Sequence, residues 1–522
     1  MAGAVLLGLG SAVVQVHLRG AYPLREVDTM QRAGSARALL ETGQWSTPVL
    51  RFWELVGHEH TAEGRPWPVQ NWSPGYPLVL AAAFAVWKDY DAAILACSIA
   101  SYLGCVLLTF LLARRLWDDR AALWATALFL AYGALPLWSA LGHIDAAYTL
   151  CLLAMTVLLL GPDSSRSPSE RNSSRPLLRY LAAGAVLGAA YWLRPTALAW
   201  TPLILVAGVG EPRVARRWAR AAALGGLALM ILLSSGLVRL LSPPPLPATG
   251  PSLSYAQMSL RETTDLEATT DQTVTPSALS GGEILRAWPQ LAKKTVRGLV
   301  EALGNPDSLL PPTLLILAPL GLVLALPHPR RRALGGAVLA AIVLSVLGVV
   351  VTVYFGLTRY AASWAPFLAV FAGAGVVWLE GRARQSRARW AVTLPTILLA
   401  VGGYVWAALP LTSVSRPPEP FLLAEQVQPL FQPGAVVASP RAYELAWHGG
   451  LRGIQTEEIS PALMLDLDRR LIRLDGFVLE RKALGGEPPE RVGEFRKLAA
   501  FLVPYEVLKG QEKAREWVVY GR

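Results

Sequence analysis

AAILACSIASYLGCVLLTFLLARR, residues Ala92–Arg115, runs without a charge until its closing pair of arginines. Coiled as a helix at about 1.5 Å per residue, it spans the roughly 30 Å hydrocarbon core of a bilayer. Runs of the same character recur on both sides of it as far as Leu409. The 522 residues are 53% hydrophobic and only 16% charged, with a mean hydropathy of +0.38. That balance excludes an ordinary soluble globular chain. The expected fold class is α: a polytopic helical membrane protein with a small C-terminal α/β domain.

Eleven runs fit the apolar requirement: Ala2–Leu18, Ala92–Ala113, Ala121–Trp138, Ala146–Leu160, Leu177–Leu193, Ala197–Val209, Ala221–Leu241, Leu310–Leu326, Ala333–Phe355, Ala361–Leu379 and Ala391–Leu409. The runs from Ala146 and Ala197 are short. Threaded alternately, they bring Arg114/Arg115/Arg120, Arg166/Arg171/Arg175/Arg179, Arg213/Arg216/Arg217/Arg220, Arg330/Arg331/Arg332 and Arg382/Arg384/Arg387/Arg389 to one face. Basic residues favour the cytoplasmic side, so that face is expected to be cytoplasmic. The same clustering explains the net charge of +11. The arginines sit in short groups between apolar runs and form no continuous basic face for nucleic acid. Cys97, Cys105 and Cys151 all lie inside apolar runs, so no disulfide framework is inferred.

Residues 1–410 then form a membrane domain with outer loops 19–91 and 242–309, and residues 411–522 an extracytoplasmic domain. The first loop carries Trp45, Trp53, Trp67, Trp72 and Trp87, with an apolar stretch, Pro77–Val86, too short to span. Indole rings favour the membrane interface, and this stretch is expected to lie along it. The second loop opens on Ser242-Pro243-Pro244-Pro245 and reads as a lid-like segment. Past Leu409, Ala435–Ala438, Gly476–Leu479 and Trp517–Tyr520 are strand-like, and Glu490–Phe501 carries a helical pattern. No internal repeat is found.

The outer segments carry the candidate chemistry. Asp28, with Gln31 three residues on, precedes a helical pattern running to Glu41. The pair reads either as a capping box or as a carboxylate placed to deprotonate a hydroxyl at the membrane surface. Asp145, at the outer turn before the fourth run, is either a helix cap or a second acidic group of a site. His143 beside it reads as interfacial. His58-Glu59-His60 is a weak metal pattern without further ligands, and neither a cofactor nor a divalent metal is indicated. Arg194 and Arg359 lie at outer helix ends, where the basic bias is against them; they either snorkel or hold an anion. The Asn71 and Asn172 glycosylation patterns read as chance matches.

Several of these residues lie in a recognisable order. Asp28 after the first run is followed by Asn71-Trp72-Ser73-Pro74-Gly75-Tyr76-Pro77. Then come Leu112-Ala113-Arg114-Arg115-Leu116-Trp117, Gly142-His143-Ile144-Asp145, Tyr191-Trp192-Leu193-Arg194-Pro195 and Thr358-Arg359-Tyr360. This order resembles the GT-C membrane glycosyltransferases of the protein mannosyltransferase and aminoarabinose transferase group (glycosyltransferase family 39). The resemblance covers most of the chain to about residue 380.

It implies a bacterial inner-membrane enzyme that moves a sugar from a polyprenyl-phosphate donor to a lipid, glycan or protein acceptor on the outer face, with inversion. Asp28 matches the family's catalytic base, although Thr29 stands where relatives often carry Glu. Asp145 matches a second acidic position. Arg194, Arg359 and Tyr360 match positions near the donor phosphate, where a guanidinium offers paired donors. Two other readings stay open: a transporter or flippase of a lipid-linked glycan, and a catalytically silent membrane scaffold.

Overall fold

A computed structural model describes residues 8–14, 27–55, 60–69, 73–132, 134–161, 175–209, 211–247, 310–352, 360–383, 392–398, 419–456, 460–484, 487–507 and 511–522, with a few single residues between them. Most of the second outer loop, Arg359, and most of the runs Ala2–Leu18 and Ala391–Leu409 lie outside the described residues.

The segment ahead of the bundle opens with helix α1, Val27–Thr42, and carries short strands β1 (Ser46–Thr47), β2 (Val49–Arg51) and β3 (Trp67–Pro68). Helix α2, Gly75–Val86, holds the short apolar stretch. The bundle follows as α3 (Tyr90–Leu116), α4 (Asp119–Ala131), α5 (Ala134–Ala140), α6 (Asp145–Leu160), α7 (Arg175–Leu193), α8 (Arg213–Leu241), α9 (Pro312–Ala325), α10 (Pro329–Thr352) and α11 (Ala365–Ala383). Between α7 and α8 the apolar run from Ala197 is a 3-10 helix, Pro195–Val206, with Pro202 inside it. Proline removes an amide donor and its ring clashes with the preceding turn, which counts against a regular α-helix here.

Among the described residues, α3 and α8 are long and apolar enough to cross a membrane, and α4 with α5, bent by 58°, adds a third if taken as one span. Length and composition thus give two or three spans, fewer than the eleven apolar runs. The apolar surface points to lipid: Leu232 on α8 is 71% exposed and Leu233 and Leu240 are exposed beside it, an outward band that water would penalise. On their inner faces α7 and α8 touch backbone to backbone. A side chain at Gly184 would collide with the Ala223 carbonyl, and one at Gly226 with the Leu181 carbonyl. Small residues at such crossings stand in for the hydrophobic drive that lipid removes.

Several of the arginines between the helices meet neighbouring helix ends. Arg331 donates to the Leu116 carbonyl at 2.6 Å and lies over the Trp117 ring. Arg115 reaches the Val157 carbonyl, Arg330 that of Val209, and Arg120 pairs with Glu380 at 2.6 Å. The opposite ends of α3, α6 and α7 carry Tyr90, Asp145 and Leu193.

The C-terminal region builds a seven-stranded sheet in the order β2-β5-β4-β6-β9-β8-β7. Its strands are β4 (Val436–Ser439), β5 (Arg452–Gln455), β6 (Gly476–Glu480), β7 (Arg491–Val492), β8 (Phe495–Val507) and β9 (Gln511–Gly521), with helices α12 (Glu419–Val427), α13 (Ala442–Gly449) and α14 (Pro461–Asp466). Alternation divides the core in two: Phe477, Leu479, Val518 and Tyr520 face one cluster, Val478, Trp517 and Val519 the other, as strand periodicity demands. Strand β2 comes from the segment between α1 and α2 and pairs in parallel with β5, Leu50 opposite Ile454.

Three expectations are corrected. Residues 491–492 and 495–501 are strand with a turn between them, not helix: Arg496 to Val507 pair antiparallel with β9, and exposure alternates from Lys497 to Pro504. Charges at Arg491, Glu494 and Lys497 imitated a helical period. Trp45 and Trp67 are core residues, 4% and 0% exposed, while Trp87, beyond α2, is 52% exposed. Asp28 does not cap α1, because the helix already includes Val27 and Asp28 stands in its first turn.

Candidate active site

At the end of the bundle away from the arginine clusters, the turn Gly142-His143-Ile144-Asp145 leads into α6. The N-cap of α6 is Ile144, with no side-chain cap bond, so Asp145 is not a cap either. Its carboxylate faces inward: Oδ1 meets Arg194 Nη1 at 2.6 Å and Oδ2 meets His143 Nδ1 at 3.2 Å. Asp145 is 2%, His143 1% and Arg194 8% exposed. His143 is therefore buried, not interfacial. The Arg194 guanidinium lies 5.1 Å from the Tyr360 ring centroid and 5.8 Å from that of Tyr148, within cation–π range.

The quoted motif from Asn71 explains why these elements meet. Gly75 starts α2 against the end of α7, so that a Cβ there would come within 2.7 Å of the Trp192 carbonyl carbon and oxygen. Tyr76 donates its hydroxyl to the Gly142 carbonyl at 2.8 Å. Ser98 of α3 donates to the His143 carbonyl at 2.9 Å. One short turn thus fixes both the helix end that presents Arg194 and the loop that presents Asp145. Burial raises the Tyr76 pKa, and the Arg32 and Asp145 charges both act on the phenol. Arg32 is itself 5% exposed and donates from Nη1 to the Asp28 main-chain oxygen at 3.0 Å. Tyr76 therefore feels the charge of the segment bearing Asp28 as well as that of Asp145.

The Asp28 charge is also felt in the C-terminal region. Tyr443 of α13 is held up at about 12, chiefly by burial, with Arg51 opposing the rise and Glu54 and Asp28 adding to it. Arg51 Nε reaches the Tyr443 hydroxyl at 3.5 Å, and the Arg51 amide donates to Glu54 at 2.7 Å. The sequence had not singled out Arg32, Arg51, Glu54, Tyr148 or Tyr443. Tyr148 and Arg32 could have been found as one-turn neighbours of Asp145 and Asp28. The His58 and His60 rings go to other work: His58 Nδ1 contacts the Pro247 carbonyl, and His60 contacts Glu63 and the Arg469 carbonyl. Among the described residues, no group of three or more His, Cys, Asp or Glu could hold a metal ion.

No protein-family model matches the chain, and no curated protein sequence does. Solved structures do. ArnT from Cupriavidus metallidurans, bound to undecaprenyl phosphate, aligns over 99% of this chain and 97% of its own at 14% identity, with a TM-score of 0.56. The chain has the GT-C fold. The Archaeoglobus fulgidus oligosaccharyltransferase in its apo form aligns over 91% of this chain and 69% of its own, with 11% identity and a TM-score of 0.58. In complex with an inhibitory peptide and a dolichol-phosphate, AglB from the same organism gives 13% identity, 87% and 64% coverage and a TM-score of 0.55. This GT-C chain keeps the architecture at identities where sequence alone no longer aligns.

Proposed function

We propose that the chain transfers a sugar from a polyprenyl-phosphate-linked donor to an acceptor hydroxyl at the outer face of the membrane, with inversion at the anomeric carbon. The observation that carries this reading is the buried Arg194–Asp145 pair, backed by Tyr360 and set in a turn that Tyr76 holds through the Gly142 carbonyl. ArnT, which shares the fold, was solved with undecaprenyl phosphate bound. In this reading the eleven apolar runs cross the membrane in alternation, and the C-terminus lies outside the cytoplasm of a bacterial inner membrane.

Asp28 accepts the proton of the incoming hydroxyl while that oxygen attacks the anomeric carbon. The bond from anomeric carbon to phosphate oxygen breaks, and its electrons leave with polyprenyl phosphate. Arg194, with Arg359, holds that phosphate: a guanidinium has five N–H donors, and Asp145 occupies only part of the fork. Asp145 is then a positioning residue, fixing Arg194 where negative charge develops, and fixed donors in a water-poor site stabilise such charge strongly. Tyr360 packs against the guanidinium.

The test is to incubate the purified chain with a panel of radiolabelled polyprenyl-phosphate hexoses and pentoses and a membrane extract as acceptor. Release of polyprenyl phosphate with transfer of label supports the reading. Failure to consume every donor in the panel overturns it.

A further inference from the structure

Between α1 and α13 lies a cavity of about 180 Å³ whose lining includes Gln31, Arg37, Glu41, Tyr443, Trp447 and Arg452. Four features of its walls bear on what it takes. Gln31 is 4% exposed, and its side-chain oxygen has no hydrogen-bond partner among the described residues. A buried acceptor left unpaired is costly, so it marks a place where a donor is missing. Glu41 adds a carboxylate, held by Arg37 at 2.7 Å. Arg37 already pairs with Glu41, and the Arg452 guanidinium is taken up by the Arg65 carbonyl and the Trp67 ring, so the lining has no spare carboxylate for a cationic ligand. Lastly, the Trp447 indole donates to Asp91 at 3.2 Å and lies near the Phe84 and Tyr90 rings, so it offers a fixed aromatic surface.

We infer that this cavity is the acceptor subsite and that it binds a neutral or anionic sugar, one of whose hydroxyls donates to Gln31 Oε1. Sugars combine the two demands of the walls: O–H donors for the oxygens of Gln31 and Glu41, and an apolar ring face for Trp447. The location agrees with a reacting hydroxyl. Gln31 lies three positions after Asp28 on the same helix, and side chains so spaced are neighbours, with Cβ atoms about 5–6 Å apart. Tyr443 lines the cavity and also feels the Asp28 charge. The assignment rests on the glycosyltransferase reading and adds to it the chemical class of the acceptor and its place.

The experiment measures binding apart from transfer. Saturation-transfer NMR is run on the full chain in nanodiscs with the methyl glycosides of glucose, galactose, mannose, arabinose and N-acetylglucosamine. At least one is expected to receive saturation, with affinity about tenfold weaker in Gln31→Leu, in line with loss of one hydrogen bond, and with no signal in Ala38→Phe, which fills the cavity from α1. Ala38 is only partly buried, so that variant decides the matter if Gln31→Leu fails to fold. No saturation for any glycoside, or a signal that survives Ala38→Phe, overturns the assignment. Sugar binding that Ala38→Phe abolishes, without consumption of any lipid donor, would keep the subsite and remove the enzyme. Transfer indifferent to both variants would do the reverse.

Discussion

Asp145 and Arg194 meet at 2.6 Å with their side chains 3% and 9% exposed. The pair joins the start of α6 to the end of α7. Removing one partner strands the other charge away from water, at a cost of about 3–5 kcal/mol. Arg194→Ala is therefore expected to lower stability by that order in denaturant unfolding from detergent, and Asp145→Asn combined with Arg194→Leu to recover most of the loss. Full wild-type stability in Arg194→Ala would show that the pair does not hold these elements together.

Asp28 separates base from scaffold. Asp28→Asn removes a first-turn negative charge, worth only about 0.3–1 kcal/mol to the helix, but an amide accepts no proton. Transfer is expected to fall by roughly 10²- to 10⁴-fold while binding of polyprenyl phosphate persists. A wild-type transfer rate in the Asn variant would sink Asp28 as the base.

Gly75→Ala probes the joint between α2 and α7. The new methyl would meet the Trp192 carbonyl at 2.7 Å and the Leu193 nitrogen at 2.9 Å. Overpacking of this kind typically costs about 1–3 kcal/mol. Because Leu193 precedes Arg194, transfer is expected to drop further than the change in melting temperature accounts for. Unchanged kinetics beside an unchanged melting temperature would mean that α2 gives way without moving Arg194.

The contact between the first outer loop and the C-terminal region should depend on pH. His60 and Glu63 meet at 2.7 Å, and Glu63 also accepts from the Arg473 amide. The Glu63 hydrogen bond raises the His60 pKa, with Asp468 adding to the rise and burial opposing it. The same bond lowers that of Glu63, with Arg473 also lowering it. The histidine contribution is complete below its ordinary 6.5 and fades as pH climbs through the raised value. The glutamate contribution is complete above its ordinary 4.5 and fades as pH falls through the lowered value. Protection of residues 60–65 from hydrogen exchange, corrected for intrinsic rates, should peak between these limits and decline on both sides. His60→Gln should flatten the alkaline side.

Threading predicts compartments. A reporter fused after Arg522 should register outside the cytoplasm, and one at Pro212 inside it. A cytoplasmic C-terminus would undo the helix count.

The bundle was legible because lipid writes itself into composition: α3 and α8 follow from apolar runs and their flanking arginines. The Asp145–Arg194 contact was less so, since its partners come from different helices, although the unusual position of Arg194 flagged it. Strand β2 escaped notice because three residues beside Pro48 carry no period, and β8 was misread because its surface charges fell at helical spacing. Gln31 was read as half of a capping box; only the packing of α13 against α1 shows its oxygen buried and unpaired.

The sheet's edge strand carries a temporal consequence. Arg51 and Tyr443 touch across 392 positions of chain, and β2 finds its partner only in β5. At about 5–20 residues per second, the ribosome needs roughly 20–80 s to make the intervening chain. Throughout that interval the nascent polypeptide has α1 but neither α13 nor the opposite wall of the cavity. An unfinished copy therefore lacks the cavity altogether, and its second wall is made only when the chain reaches Tyr443 to Arg452.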